Sequence, residues 1–140
     1  MLSKKNRYAF HALEYLALNQ GKGPVLIEEI AKAKKIPRKF LENILLELKK
    51  AGILHSKMGK GGGYYLLKEP REIAFAQVIR LIDGPIALLP CVSINYHEKC
   101  TECVHEEAEC PLRMVMIQVR DESLKVLENK TLADVIGTDF

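Results

Sequence analysis

The stretch whose reading decides the fold is IPRKFLENILLELKKAGILHSKMGKGGGYYL, residues 36–66. Phe40, Leu41, Ile44, Leu45 and Leu48 recur at helical spacing and form a buried stripe. Pro37 suits the first helical position and Gly52 the residue just past the end. Arg38, Lys39, Glu42, Asn43, Lys49 and Lys50 fall on the opposite face, where Leu46 is the exception. After Gly52 the period changes from helical to extended. ILHSKMGKGGGYYLLKEP reads as a strand, a glycine-rich tip and a second strand, a β-hairpin with lysines at its end.

Upstream, KKNRYAFHALEYLALNQG sets Ala9, Ala12, Leu13, Leu16 and Ala17 on one helical face, with Tyr8, His11 and Tyr15 on another flank. The tyrosines read as packing residues. After the turn GKGP, LIEEIAKAKK reads as a short second helix with Leu26, Ile27, Ile30 and Ala31 inward. Two short helices joined by a tight turn, then a basic hairpin, make a winged helix-turn-helix. In that arrangement the helix beginning at Pro37 lies in the DNA major groove, and Arg38, Lys39, Glu42 and Asn43 face the bases and backbone. The hairpin touches backbone or minor groove, with Lys57 and Lys60 supplying charge and the glycines around Gly61 allowing close approach. A nucleotide-binding loop would open a helix; these glycines lead into the strand-like YYLL instead.

The charge distribution agrees with this division. The net charge of +3 conceals 14 Lys+Arg against 6 Asp+Glu in residues 1–70, and 7 against 12 in residues 71–140. A basic first half fits a polyanion; the acidic second half has another task. No apolar run approaches the ~18 residues of a membrane span. No apolar region follows the charged start MLSKKNRYAF, so a cytosolic, reducing compartment is expected. No paired-carboxylate, Ser–His–Asp or nucleotide-loop context points to an enzyme.

In the second half, IAFAQVIRLIDG reads as a fourth helix stopped by Gly84-Pro85. The final long stretch, beginning CPLRMVMIQVRDESLKVL, has Leu112, Val115, Met116, Val119 and Val126 on one stripe, with Met114, Ile117 and Leu124 widening it. A helix apolar over so much of its girth needs more cover than a small domain supplies, which a second copy would provide. The expected architecture is mainly α with a small β-hairpin. Residues 1–83 form a winged helix-turn-helix and residues 84–140 a cysteine-containing loop plus a long dimerisation helix.

Every cysteine lies in CVSINYHEKCTECVHEEAEC, residues 91–110. The only C-x-x-C pair is Cys100 with Cys103, and a structural zinc site usually has two such pairs. Cys110 precedes Pro111 at a helix start, where amides and dipole stabilise the thiolate that ligates metal. Five acids between Glu98 and Glu109 oppose it unless a cation compensates. A metal or cluster, a redox switch and inert thiols all remain open; His97 and His105 are candidate extra ligands.

Together, residues 36–66, the later VIRLIDGPIAL and the cysteines from Cys91 onward resemble the bacterial winged-helix regulator family of IscR, NsrR, RirA and CymR. The resemblance covers nearly the whole chain. It implies a homodimeric DNA-binding regulator on a palindromic operator. In many members it also implies an iron–sulfur cluster (2Fe–2S or 4Fe–4S) that senses iron–sulfur, redox or nitric oxide status. Other members lack a cluster and answer to a partner protein, so a zinc-stabilised or cluster-free regulator controlled by thiol oxidation or a partner is the alternative. Cys91 and Cys110 match the outer cluster ligands of the family by their flanks, and Cys100 or Cys103 the middle one. The histidine that completes the site in IscR is replaced by Arg113. The fourth ligand is then the extra cysteine or, less favoured, His11 from the first helix of a partner subunit. Glu42 and Asn43 match base-contacting positions, and Met58 stands where IscR has its minor-groove arginine.

Overall fold

Ser3 starts the first helix, α1 (Lys4–Leu18), by accepting the Asn6 amide on its hydroxyl at 3.0 Å. The same hydroxyl donates to Asp83, whose other carboxylate oxygen accepts the Ser3 amide at 3.0 Å. The start of α1 is thereby fixed to the end of a helix eighty residues later. The structure, a computed structural model, describes residues 2–136.

Helices α2 (Ile27–Lys34) and α3 (Arg38–Lys50) make the helix-turn-helix. Lys35 adopts a left-handed backbone (φ 53°) between them, and Ile36 plugs the core. Pro37 is the cap residue, with an extended ψ of 126°, and not the first helical residue expected from the sequence. The core joins Ala9, Ala12, Leu13 and Leu16 of α1 to Ile30 of α2 and to Leu41, Ile44, Leu45 and Leu48 of α3. Two residues expected inward are exposed. Leu26 caps α2 from outside, and Phe40 lies at the rim, 39% exposed, edge-on to Tyr8 at 5.6 Å between ring centres.

Gly52 (φ 77°) reverses the chain after α3. The Ile53 amide bonds back to Leu48 and the Gly52 amide to Lys49, the paired bonds of a left-handed helix stop. Strands β1 (Leu54–Lys57) and β2 (Gly63–Leu66) then pair antiparallel, with Leu54 opposite Leu66 and Lys57 opposite Gly63. Val25 adds a third position to this sheet by exchanging two 2.8 Å backbone bonds with Tyr64. That approach leaves no room for a side chain at Gly63, where a Cβ would sit 2.4 Å from the Val25 carbonyl oxygen. Gly62 is equally constrained, by the Lys57 carbonyl oxygen at 2.3 Å. These two glycines are required by the wing's own backbone, whatever they also allow at its outer surface.

Helix α4 (Phe75–Ile82) buries Ala76, Val78 and Ile79. An irregular segment follows, with a 3-10 turn at Pro90–Val92 and another at Glu107–Glu109, and then α5 (Pro111–Asn129). Beyond α5 the chain returns to the first half. Phe75 donates to the Lys130 carbonyl, Leu132 donates to that of Ile73, and Leu132 enters the core beside α1. Along α5, Leu124 is the buried residue among those described, while Leu112, Met114, Val115, Val119 and Val126 lie exposed. No helix among the described residues is long and apolar enough to cross a membrane.

Gly63→Ala is expected to destabilise the chain by about 3 kcal/mol or more, because its φ of 138° and the Val25 contact add together. Gly59→Ala, at φ 85° with open space, should cost only about 1 kcal/mol. Urea unfolding of both variants measures the difference.

Candidate DNA interface and thiol site

Helix α3 presents Arg38, Lys39, Glu42 and Asn43 to solvent on one exposed face. Arg38 is engaged, with Nη2 2.9 Å from the Glu28 carboxylate of α2 and Nε 3.6 Å from that of Glu42. It therefore bridges the two helices and orients Glu42. All three side chains are more than half exposed, so these ion pairs are weak and a phosphate can displace them. At the other end of α3, Lys49 Nζ donates to Ser56 Oγ at 2.7 Å, tying the helix to β1. The wing tip sets Lys57, Met58, Lys60 and Gly61 outward, Met58 at 91% exposure. Nothing in the chain's own packing accounts for a methionine there.

The cysteines meet at one cavity. A cavity of about 340 Å³ lies between the Pro90–Val92 turn, the loop after Glu98 and the start of α5, and all four thiols are on its wall. Cys91 is buried, Cys103 and Cys110 are half-buried and Cys100 is exposed. Cys110 is the cap residue of α5. It makes no full capping hydrogen bond. The backbone N–H of Arg113, with help from Cys103 and the Leu112 N–H, nevertheless outweighs burial and holds its thiol below the ordinary cysteine range. Cys103 moves the other way. The His105 amide favours its thiolate, but burial and the adjacent Cys110 and Cys100 sulfurs prevail and raise it.

His105 also lines the cavity, whereas His97 is taken up by Glu107, Nε2 lying 2.6 Å from Oε1. That hydrogen bond outweighs burial and holds the Glu107 carboxyl below its usual range. His11 stands exposed on α1, 3.9 Å from Glu14, and is not on the cavity wall of its own chain. Among the described residues no three His, Cys, Asp or Glu side chains close around a single ion. Four soft thiols on one cavity are a donor set that fits an iron–sulfur cluster or a thiolate-bound zinc ion and not a hard cation.

From the sequence Arg113 is legible only as a missing ligand, and Arg120 carries no assigned role. The structure turns both toward the thiol site: Arg113 Nε donates to the Cys91 carbonyl (3.3 Å) and Arg120 Nη1 to that of Val92 (2.7 Å). Their seven-residue spacing beside an apolar stripe was the available signal.

A family model described as "Rrf2: Iron-dependent Transcriptional regulator" matches residues 2–138. The chain belongs to the Rrf2 family. Among its Rrf2-type relatives, a putative HTH-type transcriptional regulator, rrf2-like, of Rhodobacter capsulatus is 42% identical over 140 residues, covering 98% of this chain and 93% of that protein. The HTH-type transcriptional regulator CymR of Bacillus subtilis is 31% identical over 134 residues, covering 96% and 88%. The solved structure of that CymR, described as the global cysteine regulator, superposes with a TM-score of 0.80 over 99% of this chain and 98% of the other at 31% identity. The IscR of T. potens superposes with a TM-score of 0.71 over 96% and 84% at 30% identity. The mainly α fold with a winged helix-turn-helix hairpin is thus that of the Rrf2 regulators, and the chain is a transcriptional regulator and not an enzyme.

The opposed shifts of the two neighbouring thiols make a direct expectation. In reduced, metal-free protein near neutral pH, iodoacetamide should modify Cys110 faster than Cys103, since Cys110 holds more thiolate at any given pH. The Cys110 rate should also level off at the lower pH of the two. Peptide mass spectrometry across a pH series reads both.

Proposed function

We propose that this regulator is a homodimer that reads a palindromic operator and senses iron–sulfur, redox or nitric oxide status through a cysteine-ligated iron–sulfur cluster. The observation that carries the reading is the gathering of all four thiols on one cavity whose wall includes the first turn of α5. Cys91 and Cys110 are the outer ligands, Cys103 or Cys100 the middle one, and the remaining thiol or a partner copy's His11 the fourth. A bound cluster, 2Fe–2S or 4Fe–4S, supplies sensitivity to oxidants and nitric oxide. The chain's own residues do the rest. Cys110 caps α5, so ligation there bears on the helix that sets the spacing of the two reading heads. The exposed stripe of Leu112, Val115, Val119 and Val126 packs against its counterpart in the second copy. Glu42 and Asn43 read base edges, Arg38 and Lys39 flank them, and Lys57, Met58, Lys60 and Gly61 meet backbone or minor groove.

A second reading is favoured by the contact between Cys103 and Cys110, whose opposed thiols suit reversible oxidation without a cluster. Anaerobic reconstitution with iron and sulfide separates the two. The cluster reading expects visible absorption that Cys91→Ala or Cys110→Ala abolishes and Cys100→Ala or Cys103→Ala only weakens. Protein that stays colourless, takes up stoichiometric zinc or keeps four free thiols sinks it.

Two more outcomes are expected. Light scattering at micromolar concentration should give a dimer, and Val119→Asp should weaken it by burying an unpaired charge between copies, at a cost of several kcal/mol. In binding titrations Glu42→Ala and Asn43→Ala should change base preference, at ~1–3 kcal/mol per good contact. Lys57→Ala and Lys60→Ala should instead weaken binding to all sequences and reduce the salt slope by about one charge each. Equal proportional losses on operator and random DNA from both kinds of variant would refute this division of roles.

A further inference from the structure

Arg113 touches both walls of the thiol cavity. On one side its Nε donates to the Cys91 carbonyl at 3.3 Å, within the turn that carries that cysteine. On the other it stands 3.7 Å from Glu107 Oε1, and that same oxygen is 2.6 Å from His97 Nε2. Residues 97 and 107 bracket the loop that carries Cys100 and Cys103. Their contact closes the neck of that loop, and Arg113 holds the neck to α5. Arg120, two turns further along, makes a superficially similar bond to the Val92 carbonyl at 2.7 Å, with its other edge on Asp121. No contact links Arg120 to the 97–107 loop among the described residues.

We propose that Arg113 is the positioning residue of the thiol site: one guanidinium holds the Cys91 turn and, through Glu107 and His97, the neck of the Cys100–Cys103 loop against the start of α5. Both contacts are made by Nε: its single N–H donates to the Cys91 carbonyl, while the guanidinium charge faces the Glu107 carboxylate at 3.7 Å, and a lysine ammonium would keep that charge but not the directed N–H. Its charge also offsets the loop acids, five between Glu98 and Glu109, that oppose thiolates in this cavity. The side chain is only 25% exposed, so both contacts are shielded from water. Arg113 thus occupies a ligand position of the resembling family without ligating; its work is to hold the donors in place. The inference deepens the thiol-site reading and rests on it for its biological meaning, while its test does not require a cluster.

The experiment uses full-length, reduced, metal-free protein and measures iodoacetamide modification of each cysteine by peptide mass spectrometry. The thermal midpoint and binding to random DNA are followed in parallel. Arg113→Ala should speed modification of both Cys91 and Cys103, each by about tenfold, as expected when a charge-assisted anchor is lost and the segment opens more often. Arg120→Ala should speed Cys91 alone, and Glu107→Ala should speed Cys103 alone. Arg113→Lys should retain slow modification at Cys103, through the ion pair with Glu107, but not at Cys91. Unchanged rates at Cys91 and Cys103 in Arg113→Ala overturn the proposal. So does an Arg120→Ala variant that accelerates both cysteines equally, since general loosening of α5 then suffices. Should Arg113→Ala fail to fold, Glu107→Ala and Arg113→Lys decide, and identical wild-type rates in both overturn it. A colourless wild type on reconstitution would count against the cluster reading alone, and an unchanged alkylation pattern against Arg113 alone.

Discussion

Helix α5 buries one residue, Leu124, against its own domain and leaves five large apolar side chains in solvent along the rest of its length. A helix so exposed cannot be explained by the fold of a single copy, and the architecture follows from how it is satisfied. Its start is held by Arg113 on Cys91, its middle by Arg120 on Val92, and its end by the Arg80–Glu128 pair at 2.9 Å and by Leu132 in the winged-domain core. The helix is therefore anchored to the reading head at its far end and to the thiol loop at its near end. In the proposed dimer, a second copy on the exposed stripe would place two reading heads at a spacing that the helix sets.

This arrangement gives a physical route from chemistry at the thiols to affinity for DNA. The loop that carries Cys100 and Cys103 has few packing residues, and exposed Tyr96 and Val104 contribute little to holding it. It is held instead by polar contacts: His97 on Glu107, Glu107 beside Arg113 and Arg113 on Cys91. Such contacts are individually modest, so a group that ligates Cys91 and Cys110 together adds substantially to the order of this end of the molecule. The reading head is different. Its core is apolar and continuous, and Arg38, Glu28 and Glu42 already organise the exposed face of α3 in the free protein.

The apolar periodicity of residues 36–66 was enough to place α3 and the wing, because the stripe of Leu41, Ile44, Leu45 and Leu48 leaves one face for the core, whereas the strand register came only with the structure. The four thiols were also legible as a group from their density in the chain. Other features were not. Phe40 fits the helical stripe by spacing, yet it lies at the rim, where Tyr8 of α1 meets it edge-on. Gly62 and Gly63 read only as allowing close approach to DNA; that Gly62 lies against the Lys57 carbonyl, and Gly63 against Val25 from a segment nearly forty residues earlier, was not visible. Arg113 was visible only as a ligand that could not ligate. Its partners, Cys91, Glu107 and through it His97, come from both walls of a cavity that exists only after folding.

The central claim is that the thiol site and the reading head act through the same helix. It is tested most directly by measuring operator affinity on one preparation of wild-type protein, first after anaerobic reconstitution with iron and sulfide and then after removal of the bound group. Coupling through α5 should change the affinity by about tenfold or more, within the range typical of linked sites. In Cys110→Ala the two measurements should coincide. Equal operator affinities for loaded and stripped wild-type protein would contradict the account.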